Sequence, residues 1–444
     1  VVLRCDCTSS RHSPSSRSAL VIKYYLPFTK SQLIRVVKSV RQSCDVPPEI
    51  LHMLETFRMM VNDCIRIGLQ HDASTLKRLA MLSYCQLARY RILSQYKKAA
   101  ISRAAAILSN RKKSIRRGHQ TKNPCMMKPI LASYRGFKID SDNFGIPIGN
   151  NQYYRIPLNR YLKLILMCDP TISLRSFTLT PSSISISYSK DVDEMECYGM
   201  VGIDRNLKNI TVGNINEVIQ YDLSKAADIA ENTRSIMRSF RRNDARIVRN
   251  LASKYGRRRN NRVKQLLHKV SKFVVQKAKQ EKTALVFEDI RHIRSMYQRG
   301  NYQNKSFRAK MNSWDFSEIK RQMQYKAKAE GLPSIQLTGE QTRGTSSLCP
   351  QCGTRTQAAA RGDVWHQRQL WCEQCQRWCD RDVIAAMNLS LRGLLQFSSP
   401  QGAASEAMLL GIGYFRPIIR RVDAAKLNSR KLVVHRGFSR TTIV

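Results

Sequence analysis

The sequence predicts an α+β chain of several domains, and three observations carry that prediction. From Pro48 to about Gly118, apolar side chains recur at helical spacing. Over Ser183–Tyr188, apolar and polar residues alternate, which is the period of a half-buried strand. Two Cys-x-x-Cys pairs, which begin at Cys349 and Cys372, are separated by nineteen residues, a spacing typical of a four-thiolate metal site. A chain of 444 residues has room for about two to four such domains.

The charge balance points to a polyanionic partner. The chain carries 76 Lys and Arg against 32 Asp and Glu, a formal net charge of +44. So large an excess repels itself unless a polyanion neutralises it, and nucleic acid is the natural candidate. A basic membrane-surface protein is the alternative, but the sequence shows no clear lipidation motif or strongly amphipathic basic helix. No apolar run reaches the ~18 residues of a membrane-spanning helix.

Cysteine usage predicts a reducing compartment. Of the thirteen cysteines, those outside the two pairs are scattered, mostly among apolar residues, as expected for reduced and buried thiols. The opening residues do not resemble a signal peptide. We therefore expect an intracellular protein, nucleoid-associated in the cytoplasm of a prokaryote or nuclear in a eukaryote.

The amino-terminal half is expected to combine sheet and helix. Residues 1–18 are rich in Ser and Arg and are predicted to be disordered. Ala19–Leu26 has the composition of a strand, and the helical block follows it. Residues 124–200 return to short runs punctuated by Gly, Asn and Pro turns. We predict that these runs and the early strand form a small β-barrel or sandwich.

Two segments concentrate the basic residues. Arg89–Arg117 contains ten Lys or Arg and no acid, and Arg234–Lys272 contains fourteen with one acid. The second lies in residues 224–280, which we interpret as a helical hairpin with Gly256–Asn260 at its tip. A solvated helix face is the ordinary explanation, but this imbalance favours helices that follow a phosphate backbone. The candidate nucleic-acid contacts are Arg111, Lys112, Lys113, Arg116, Arg117, Arg238, Arg241, Arg242, Arg257, Arg258 and Arg259.

The carboxy-terminal half alternates strands and helices. Gly199–Gly213 is predicted to form two strands of a hairpin-like pair, and the tail, Gln396–Val444, is predicted to be partly disordered. Between them we expect strands and helices at Ala284–Ile290, Phe316–Ala329, Ser334–Leu337 and Arg381–Leu395.

Three acidic residues stand at the ends of predicted elements. Asp204 ends the first strand of the pair, Glu288 ends a second strand, and Asp382 begins a helix. Each acid alone is more often a turn or cap residue, and Asp289 and Asp380 are neighbouring alternatives. Together the three suit the oxygen ligation that Mg²⁺ or Mn²⁺ requires. Enzymes in which carboxylates hold two such ions include nucleases, which hydrolyse phosphodiesters. The set therefore predicts a metal-dependent nuclease.

The cysteine pairs predict a structural zinc site. The alternatives are a redox dithiol, which needs one such pair near a βαβ unit, and buried free thiols. A four-thiolate zinc is coordinatively closed, so it stabilises a fold and does not catalyse. We expect Cys379 to lie outside the ligand set and His366 to be a weak alternative ligand. The predicted zinc ligands are Cys349, Cys352, Cys372 and Cys375.

These motifs resemble the TnpB family, the transposon-encoded RNA-guided DNA endonucleases related to type V CRISPR effectors and to Fanzor proteins. Specific matches cover residues 200–395, and domain order alone extends the resemblance toward the amino terminus. The matching motifs are Gly202–Asp204 with Leu207–Asn209, Val286–Asp289, Thr345–Gly353, and the pair Cys372 and Cys375 before Asp380–Val383.

The resemblance implies an architecture, a site and partners. It implies a RuvC-like RNase H-fold nuclease core with an inserted four-Cys zinc ribbon, plus an N-terminal wedge-like β-barrel and a helical recognition domain. Asp204, Glu288 and Asp382 would be the catalytic acids. A guide RNA from the transposon end would select double-stranded DNA by base pairing, beside a short motif that the protein recognises. The oligomeric state, monomer or dimer, stays open.

The sequence departs from the family pattern at two positions. Asn206 stands where Gly is frequent, and Ile384 stands where the third motif usually has Asn, whereas Asn388 is kept. Because all three acids are present, we expect an active enzyme whose fine tuning differs.

The expected domains follow from these motifs. They are a basic disordered segment (1–18), the first part of the barrel (19–47), the helical recognition domain (48–122), the rest of the barrel (123–198), the nuclease with its basic hairpin (199–344), the zinc ribbon (345–379), the third-motif helix (380–395) and a basic tail (396–444).

Three other functions compete with guided cleavage. A transposase or transposition accessory protein would bind DNA without guided cleavage, but strand-transfer enzymes of this class more often order their acids Asp, Asp, Glu. A guided repressor would have lost at least one acid. A junction resolvase would not need the ribbon or the large basic amino-terminal half.

Overall fold

The computed structural model of the chain divides into two compact units, Leu33–Asp193 and a second unit that includes Glu194–Val444. The structure describes residues 33–240, 245, 247–290, 293, 304–312, 314, 316–360, 363, 366–398 and 416–427. The predicted disorder at 1–18 and the predicted strand Ala19–Leu26 lie outside these described residues, as does most of the predicted tail.

The first unit begins with a strand, continues with helices and returns to strands. Its elements are β1 (Leu33–Ser43), α1 (Pro48–Gln70), α2 (Leu76–Ser83), a 3₁₀ turn (Gln86–Arg89), α3 (Ser94–Arg116), β2 (Leu131–Ser133), β3 (Lys138–Ile139), β4 (Asn143–Gly149), β5 (Gln152–Pro157), α4 (Arg160–Met167), β6 (Ser173–Thr180) and β7 (Ser183–Asp193).

Two antiparallel sheets form the strand part of this unit. One has the order β1-β7-β6-β2, and the other has the order β3-β4-β5. Helices α1 to α3 follow β1 and precede β2, so the helical block interrupts the sheet in the sequence. Closure of the strands into a barrel stays a prediction.

Helix α1 supplies much of this unit's core. Pro48 occupies its first turn, where a missing N–H costs nothing. Leu54, Phe57 and Met60 follow at helical spacing and are fully buried, which confirms the periodicity of the sequence. They join a cluster that includes Phe144 and Phe177 of the strands, so helices and sheets share one hydrophobic core.

The second unit carries the cysteine pairs and the three acids. Its elements are β8 (Gly199–Arg205), β9 (Asn209–Gly213), β10 (Glu217–Asp222), α5 (Ser224–Ser239), a π-helical turn (Ile247–Leu251), α6 (Ala252–Gln280), β11 (Thr283–Phe287), α7 (Lys305–Asn312), α8 (Phe316–Ala329), β12 (Ser334–Gln336), β13 (Gln357–Ala358), β14 (Gln369–Cys372), β15 (Arg377–Asp380), α9 (Arg381–Ser398) and β16 (Ile418–Asp423).

A mixed six-stranded sheet forms the centre of this unit, in the order β12-β11-β8-β9-β10-β16. Strands β8, β9 and β10 are antiparallel neighbours, whereas β11 runs parallel to β8 and β12 runs parallel to β11. The five residues of β11 are all buried, as expected of a central strand with both faces covered.

Helix α9 packs very closely against the central strands. A Cβ added to Gly202 of β8 would lie 2.0 Å from the Ala386 carbonyl oxygen of α9, and one added to Gly393 would lie 2.5 Å from Val286 Cγ2. Ser390 Oγ also donates a 2.7 Å hydrogen bond to the Met200 carbonyl oxygen. The two glycines therefore let the helix approach the sheet to backbone contact.

The structure corrects one prediction about this unit and adds one strand that was not predicted. The predicted tip, Gly256–Asn260, lies inside helix α6 and is not a turn. A single glycine costs a helix only about 1 kcal/mol, and the surrounding Arg residues favour helix. In the tail, which we expected to be partly disordered, Ile418–Asp423 forms β16, a strand that the sequence did not predict, and pairs in parallel with β10.

No described helix is both long enough and apolar enough to cross a membrane.

Candidate nuclease and zinc sites

Asp204 and Glu288 lie at the same edge of the sheet. The parallel register of β8 and β11 pairs Ile203 with Phe287, so the next residue of each strand is one of the two acids. Arg205 then donates a 2.8 Å hydrogen bond from its guanidinium to the Glu288 carbonyl oxygen. The sheet therefore brings together two acids that are far apart in the sequence.

Asp382 enters the same region from the first turn of α9. The neighbouring acid, Asp380, has a different role. Its Oδ1 accepts hydrogen bonds from the backbone N–H groups of Asp382 (2.8 Å) and Val383 (3.3 Å). Asp380 thus caps the helix, which leaves Asp382 as the acid of this pair that extends toward the other two.

The three acids interact electrostatically. Asp204 is 9% exposed and Asp382 is 3% exposed. Burial, followed by the negative charges of Glu288 and Asp382, raises the pKa of Asp204 to about 8. Burial also raises the pKa of Glu288, although the positive charge of Arg205 opposes that shift. Like charges in a buried site disfavour ionisation, and a divalent cation would reverse that effect.

Polar side chains hold two of these carboxylates in place. Asn206 donates a 2.6 Å hydrogen bond from Nδ2 to Asp204 Oδ2, and Asn209 donates a 2.9 Å bond to Asp382 Oδ2. The Asn206 departure from the family pattern therefore adds a contact to an acid. Ile384, at the second position that departs from the pattern, is 1% exposed and gives α9 an additional buried apolar side chain.

Arg368 is a site residue that the sequence alone did not reveal. Its Nη2 atom lies 2.6 Å from Asp382 Oδ1 and 2.7 Å from Oδ2. The Arg368 side chain is 64% exposed, whereas that of Asp382 is 4% exposed. Arg368 precedes β14, and its φ of 90° is unusual for a residue with a side chain. Nothing in a single sequence predicts this contact, because a loop conformation creates it.

The donor set suits hard divalent cations. The three carboxylates supply oxygen ligands, as Mg²⁺ and Mn²⁺ prefer. Among the described residues, they do not form a group whose ligand atoms all lie within 4.8 Å of one another. The fit to such cations therefore rests on the oxygen chemistry of the three acids.

The four predicted zinc ligands converge. Their sulfur atoms all lie within 4.8 Å of one another. Cys349 Sγ is 3.8 Å from Cys375 Sγ, and Cys352 Sγ is 3.4 Å from Cys372 Sγ. A tetrahedral zinc with ~2.3 Å bonds to sulfur separates its ligands by about 3.8 Å. The spacing therefore fits zinc.

The two Cys-x-x-Cys turns have a similar backbone conformation. The residue after each pair, Gly353 or Gln376, has a positive φ, of 74° and 49°. Burial raises the pKa of the Cys352 thiol, but hydrogen bonds from Thr354 and from neighbouring cysteines outweigh it and lower the pKa to about 7. A thiol with a low pKa loses its proton readily, and the thiolate that remains is the form that binds a metal.

Two side chains near the cysteines lie outside the ligand set. The Cys379 sulfur is not part of the four-sulfur group, as we expected. The weak alternative, His366, instead pairs through Nδ1 with Asp363 Oδ2 at 2.8 Å and stacks on Trp378, with ring centroids 4.2 Å apart. A zinc ligand role for His366 has no support in this geometry.

The acid-bearing helix is tied to the ribbon. Asn388, in α9, donates hydrogen bonds from Nδ2 to the carbonyl oxygens of Thr345 (2.7 Å) and Leu348 (2.8 Å). These two residues lie just before the first cysteine. Asn388, which matches the family pattern, thus connects helix α9 to the ribbon.

The predicted nucleic-acid contacts lie at helix ends and surfaces. Lys112 forms a 3.0 Å ion pair with Asp72, and Arg111 donates a 3.2 Å hydrogen bond to Asn123. Both side chains therefore already make a contact within the protein. Arg241 and Arg242 lie outside the described residues. The remaining candidates are half-buried or exposed, on α3 and its end, α5 and α6: Lys113, Arg116, Arg117, Arg238, Arg257, Arg258 and Arg259.

The fold and the sites define a mixed helix and sheet protein with a four-cysteine cluster. Residues 316–389 match the family model described as the Cas12f1-like TNB domain. A TnpB-like protein of Methanocaldococcus jannaschii is 33% identical over 216 residues, which cover 47% of this chain and 73% of that protein. The chain belongs to the TnpB family.

One solved structure is also similar over most of the chain. The mini-RNA-guided endonuclease CRISPR-Cas phi3 aligns with 84% of this chain and 94% of its own, at 10% identity and a TM-score of 0.43. Similarity at this level carries no further conclusion about fold or activity.

Proposed function

We propose that the protein is an RNA-guided, divalent-metal-dependent DNA endonuclease encoded by a transposon. It would cleave DNA beside a short target-adjacent motif by two-metal phosphodiester hydrolysis. One observation carries the proposal: the register of β8 and β11 and the capped start of α9 bring Asp204, Glu288 and Asp382 together from three separate segments, and burial, followed by the charges of Glu288 and Asp382, raises the pKa of Asp204.

The topology of the sheet supports a RuvC-like core. Strands β10, β9 and β8 form an antiparallel meander, and β11 and β12 continue the sheet in parallel on the other side of β8. That order is the one expected of an RNase H fold. Asp204 is the penultimate residue of its first strand and Glu288 directly follows its fourth, which is where the family's motifs would place them.

The side chains divide the work at this site. The charges of Glu288 and Asp382 both act on Asp204, and the three carboxylates together would hold the ions. Bound ions would activate the attacking water and stabilise the leaving oxygen. Asn206 and Asn209 orient the carboxylates that they contact, and burial of the acids excludes bulk water.

The basic helices support binding of RNA and of an RNA–DNA heteroduplex. Most of the described residues of the two basic segments lie on helices, α3 in the first unit and α5 and α6 in the second. A groove or face with many cations binds the phosphate backbone without reading sequence, so base pairing with a guide would supply the choice of target. The zinc ribbon would stabilise the fold beside the acids.

The predicted domain boundaries become part of this proposal. The break between the two compact units, at Asp193 and Glu194, supports a boundary close to residue 198. We propose that the first unit combines a wedge-like β-barrel with the helical recognition domain, and that it recognises the guide RNA and the target-adjacent motif.

A co-purification experiment tests the proposal. The protein is expressed with its flanking genomic DNA, bound RNA is sequenced, and the complex is assayed for Mg²⁺-dependent cleavage of matched duplex DNA. We expect one discrete RNA and cleavage that leaves 5′-phosphates. Asp204→Ala should abolish cleavage and spare binding. Only heterogeneous RNA that salt removes, with no cleavage, would favour a DNA-binding transposition accessory protein.

A further inference from the structure

The hydroxyl group of Thr211 is a buried polar atom that has no hydrogen-bond partner among the described residues. Thr211 lies in the middle of strand β9 and is fully buried. Most buried polar side-chain atoms in proteins do have a partner, because an unpaired one costs free energy. The surroundings of Thr211 therefore indicate which group its hydroxyl could bind.

Thr211 lies directly opposite Asp204. The antiparallel register of β8 and β9 pairs these two residues. Opposed residues of such a pair have their side chains on the same face of the sheet, with Cβ atoms about 4.5–5.5 Å apart. The sheet therefore places an unpaired hydroxyl beside one of the three acids.

Both side chains face helix α9. A Cβ added to Gly202 would meet the Ala386 carbonyl oxygen of that helix, and Asp204 follows Gly202 by two residues. Because side chains alternate along a strand, Asp204 and the opposed Thr211 lie on the face that α9 covers. Asp382 enters from the first turn of the same helix. The Thr211 hydroxyl thus lies on the side of the sheet on which the acids meet.

The other neighbour of Thr211 is a weaker candidate as its acceptor. Strand β10 pairs Gln220 with Thr211, but Gln220 Oε1 accepts a 3.2 Å hydrogen bond from Arg421 Nε. Arg421 is opposite Gln220 in β16, so this bond holds the amide oxygen on the side away from Thr211. Asp204 keeps capacity to accept, because Asn206 bonds only to its Oδ2 atom and a carboxylate has about four lone-pair sites.

The chemistry of a metal-binding carboxylate calls for such a donor. A carboxylate that ligates a divalent ion is ionised and can only accept hydrogen bonds, whereas a hydroxyl can donate one. A hydrogen bond to the ionised form favours that form. Carboxylates that ligate metals are commonly held by hydrogen bonds from neighbouring residues, which fix their orientation.

We propose that Thr211 is a positioning residue for Asp204, whose ionised carboxylate accepts a hydrogen bond from the Thr211 hydroxyl when a divalent ion is bound. This inference rests on the proposed function and deepens it, because it names a residue beyond the three acids on which the metal site depends. The ordinary alternative is that threonine occurs here only because β-branched residues suit strands, in which case the hydroxyl has no role.

Metal-dependent stabilisation tests the proposal without any nucleic acid. The unfolding temperature of the full-length, zinc-loaded protein is measured over a range of Mg²⁺ concentrations. Thr211→Val keeps the shape of the side chain and removes the hydroxyl. We expect this variant to need about tenfold more Mg²⁺ for half of the full stabilisation, with a metal-free unfolding temperature that is unchanged or higher. Thr211→Ser restores the hydroxyl and should need as much Mg²⁺ as the unaltered protein.

Thr283→Val is the matched control. Thr283 is buried in β11 of the same sheet and pairs with Gly199, at the end of the strands that is far from the acids. Its hydroxyl already donates a 3.5 Å hydrogen bond to the Ala278 carbonyl oxygen. This variant should lower the metal-free unfolding temperature and leave the Mg²⁺ requirement unchanged. In an Asp204→Ala background, Thr211→Val should no longer alter the response to Mg²⁺, because substitutions that act through one contact are not additive.

A lower metal-free unfolding temperature for Thr211→Val, with an unchanged Mg²⁺ requirement, would overturn the proposal, because the hydroxyl would then be purely structural. A protein that neither Mg²⁺ nor Mn²⁺ stabilises would overturn it as well.

Cleavage by the guided complex decides separately on the proposed function. If the complex cleaves and Thr211→Val changes neither cleavage nor the Mg²⁺ requirement, the nuclease stands and the positioning role is rejected. If Thr211→Val raises the Mg²⁺ requirement of a protein that cleaves with no RNA, the positioning role stands and the guided nuclease is rejected.

Discussion

Asp204 is a buried carboxyl group that faces two other acids, and its protonation depends on them. Its pKa rises to about 8, against about 3.9 in an unfolded chain. The folded state therefore holds a proton on Asp204 at pH values where the unfolded state does not. By linkage, the stability that this proton contributes is complete below about pH 4 and is lost as pH rises through about 8.

A pH prediction follows for protein without added divalent ions. The unfolding temperature should fall between about pH 4 and pH 8, and Asp204→Asn should flatten that fall because it cannot titrate. Thermal unfolding at several pH values measures both. Added Mg²⁺ should offset the fall at high pH, since it favours the ionised acids. Equal slopes in the two proteins would contradict the electrostatic account.

Arg368 acts on Asp382 as a positive partner that a metal ion could replace. Arg368→Gln should cost about 1–3 kcal/mol of stability, because a buried carboxylate loses a charged hydrogen-bond partner. Mg²⁺ should then raise the unfolding temperature of this variant more than that of the unaltered protein. Arg355→Gln, at an exposed arginine of the same ribbon, is the matched control. An equal response to Mg²⁺ in both variants would refute the idea that Arg368 and the metal ion compete for Asp382.

Among the secondary-structure elements, helix α9 and strand β8 form the contact that sets the distance between Asp382 and Asp204. A methyl group at Gly202 would meet backbone atoms of the helix at 2.0 Å and 2.7 Å. Backbone cannot move aside as a flexible side chain can. The helix would have to shift, and Asp382 would shift with it.

Gly202→Ala is therefore expected to lower stability by about 1–3 kcal/mol, the usual effect of overpacking, and to reduce cleavage further than stability alone explains. Gly199→Ala is the control on the same strand, since its added Cβ would meet only Thr283 Cγ2, at 3.4 Å. Denaturant unfolding and single-turnover cleavage measure the two effects. Equal losses at both glycines would show that the close helix contact is unimportant.

The elements that sequence patterns predicted are those with a strong local signal. Strand β11 is apolar from its second residue to its last, and the cysteine pairs have a diagnostic spacing, so the strand and the four-cysteine cluster were both predicted. Strand β16 was missed because it is held by a parallel pairing with β10, from a distant part of the chain. Arg368 was missed for a similar reason, since only the folded loop brings it to Asp382. The turn predicted at Gly256 is absent because the helix-forming residues on both sides of this single glycine continue the helix.

At the scale of the whole molecule, the four-cysteine ribbon would link zinc binding to the arrangement of the acids. It ends in Asp380, which caps α9, and Asn388 ties the same helix back to the ribbon's beginning. Loss of zinc should therefore disturb Asp382 as well as the cysteines, because structural zinc contributes folding free energy directly.

Cys372→Ser is expected to lower zinc content and to abolish Mg²⁺-dependent cleavage, although no acid is altered. Cys379→Ser, at a thiol of the same hairpin outside the four-sulfur group, should keep both. Metal analysis of the purified proteins and a cleavage assay measure the outcomes. Full cleavage by a zinc-free variant would show that the ribbon does not hold the helix in place.

The order of the strands also has a consequence for synthesis on the ribosome. The first unit is one continuous segment, Leu33–Asp193, and domains generally fold as units while translation proceeds. The central sheet of the second unit, however, is completed by β16 at Ile418–Asp423, and Asp382 is made long after Asp204. A nascent chain can thus form its amino-terminal unit early, whereas the three acids can assemble only after α9 has been synthesised, and the sheet beside them is complete only after β16.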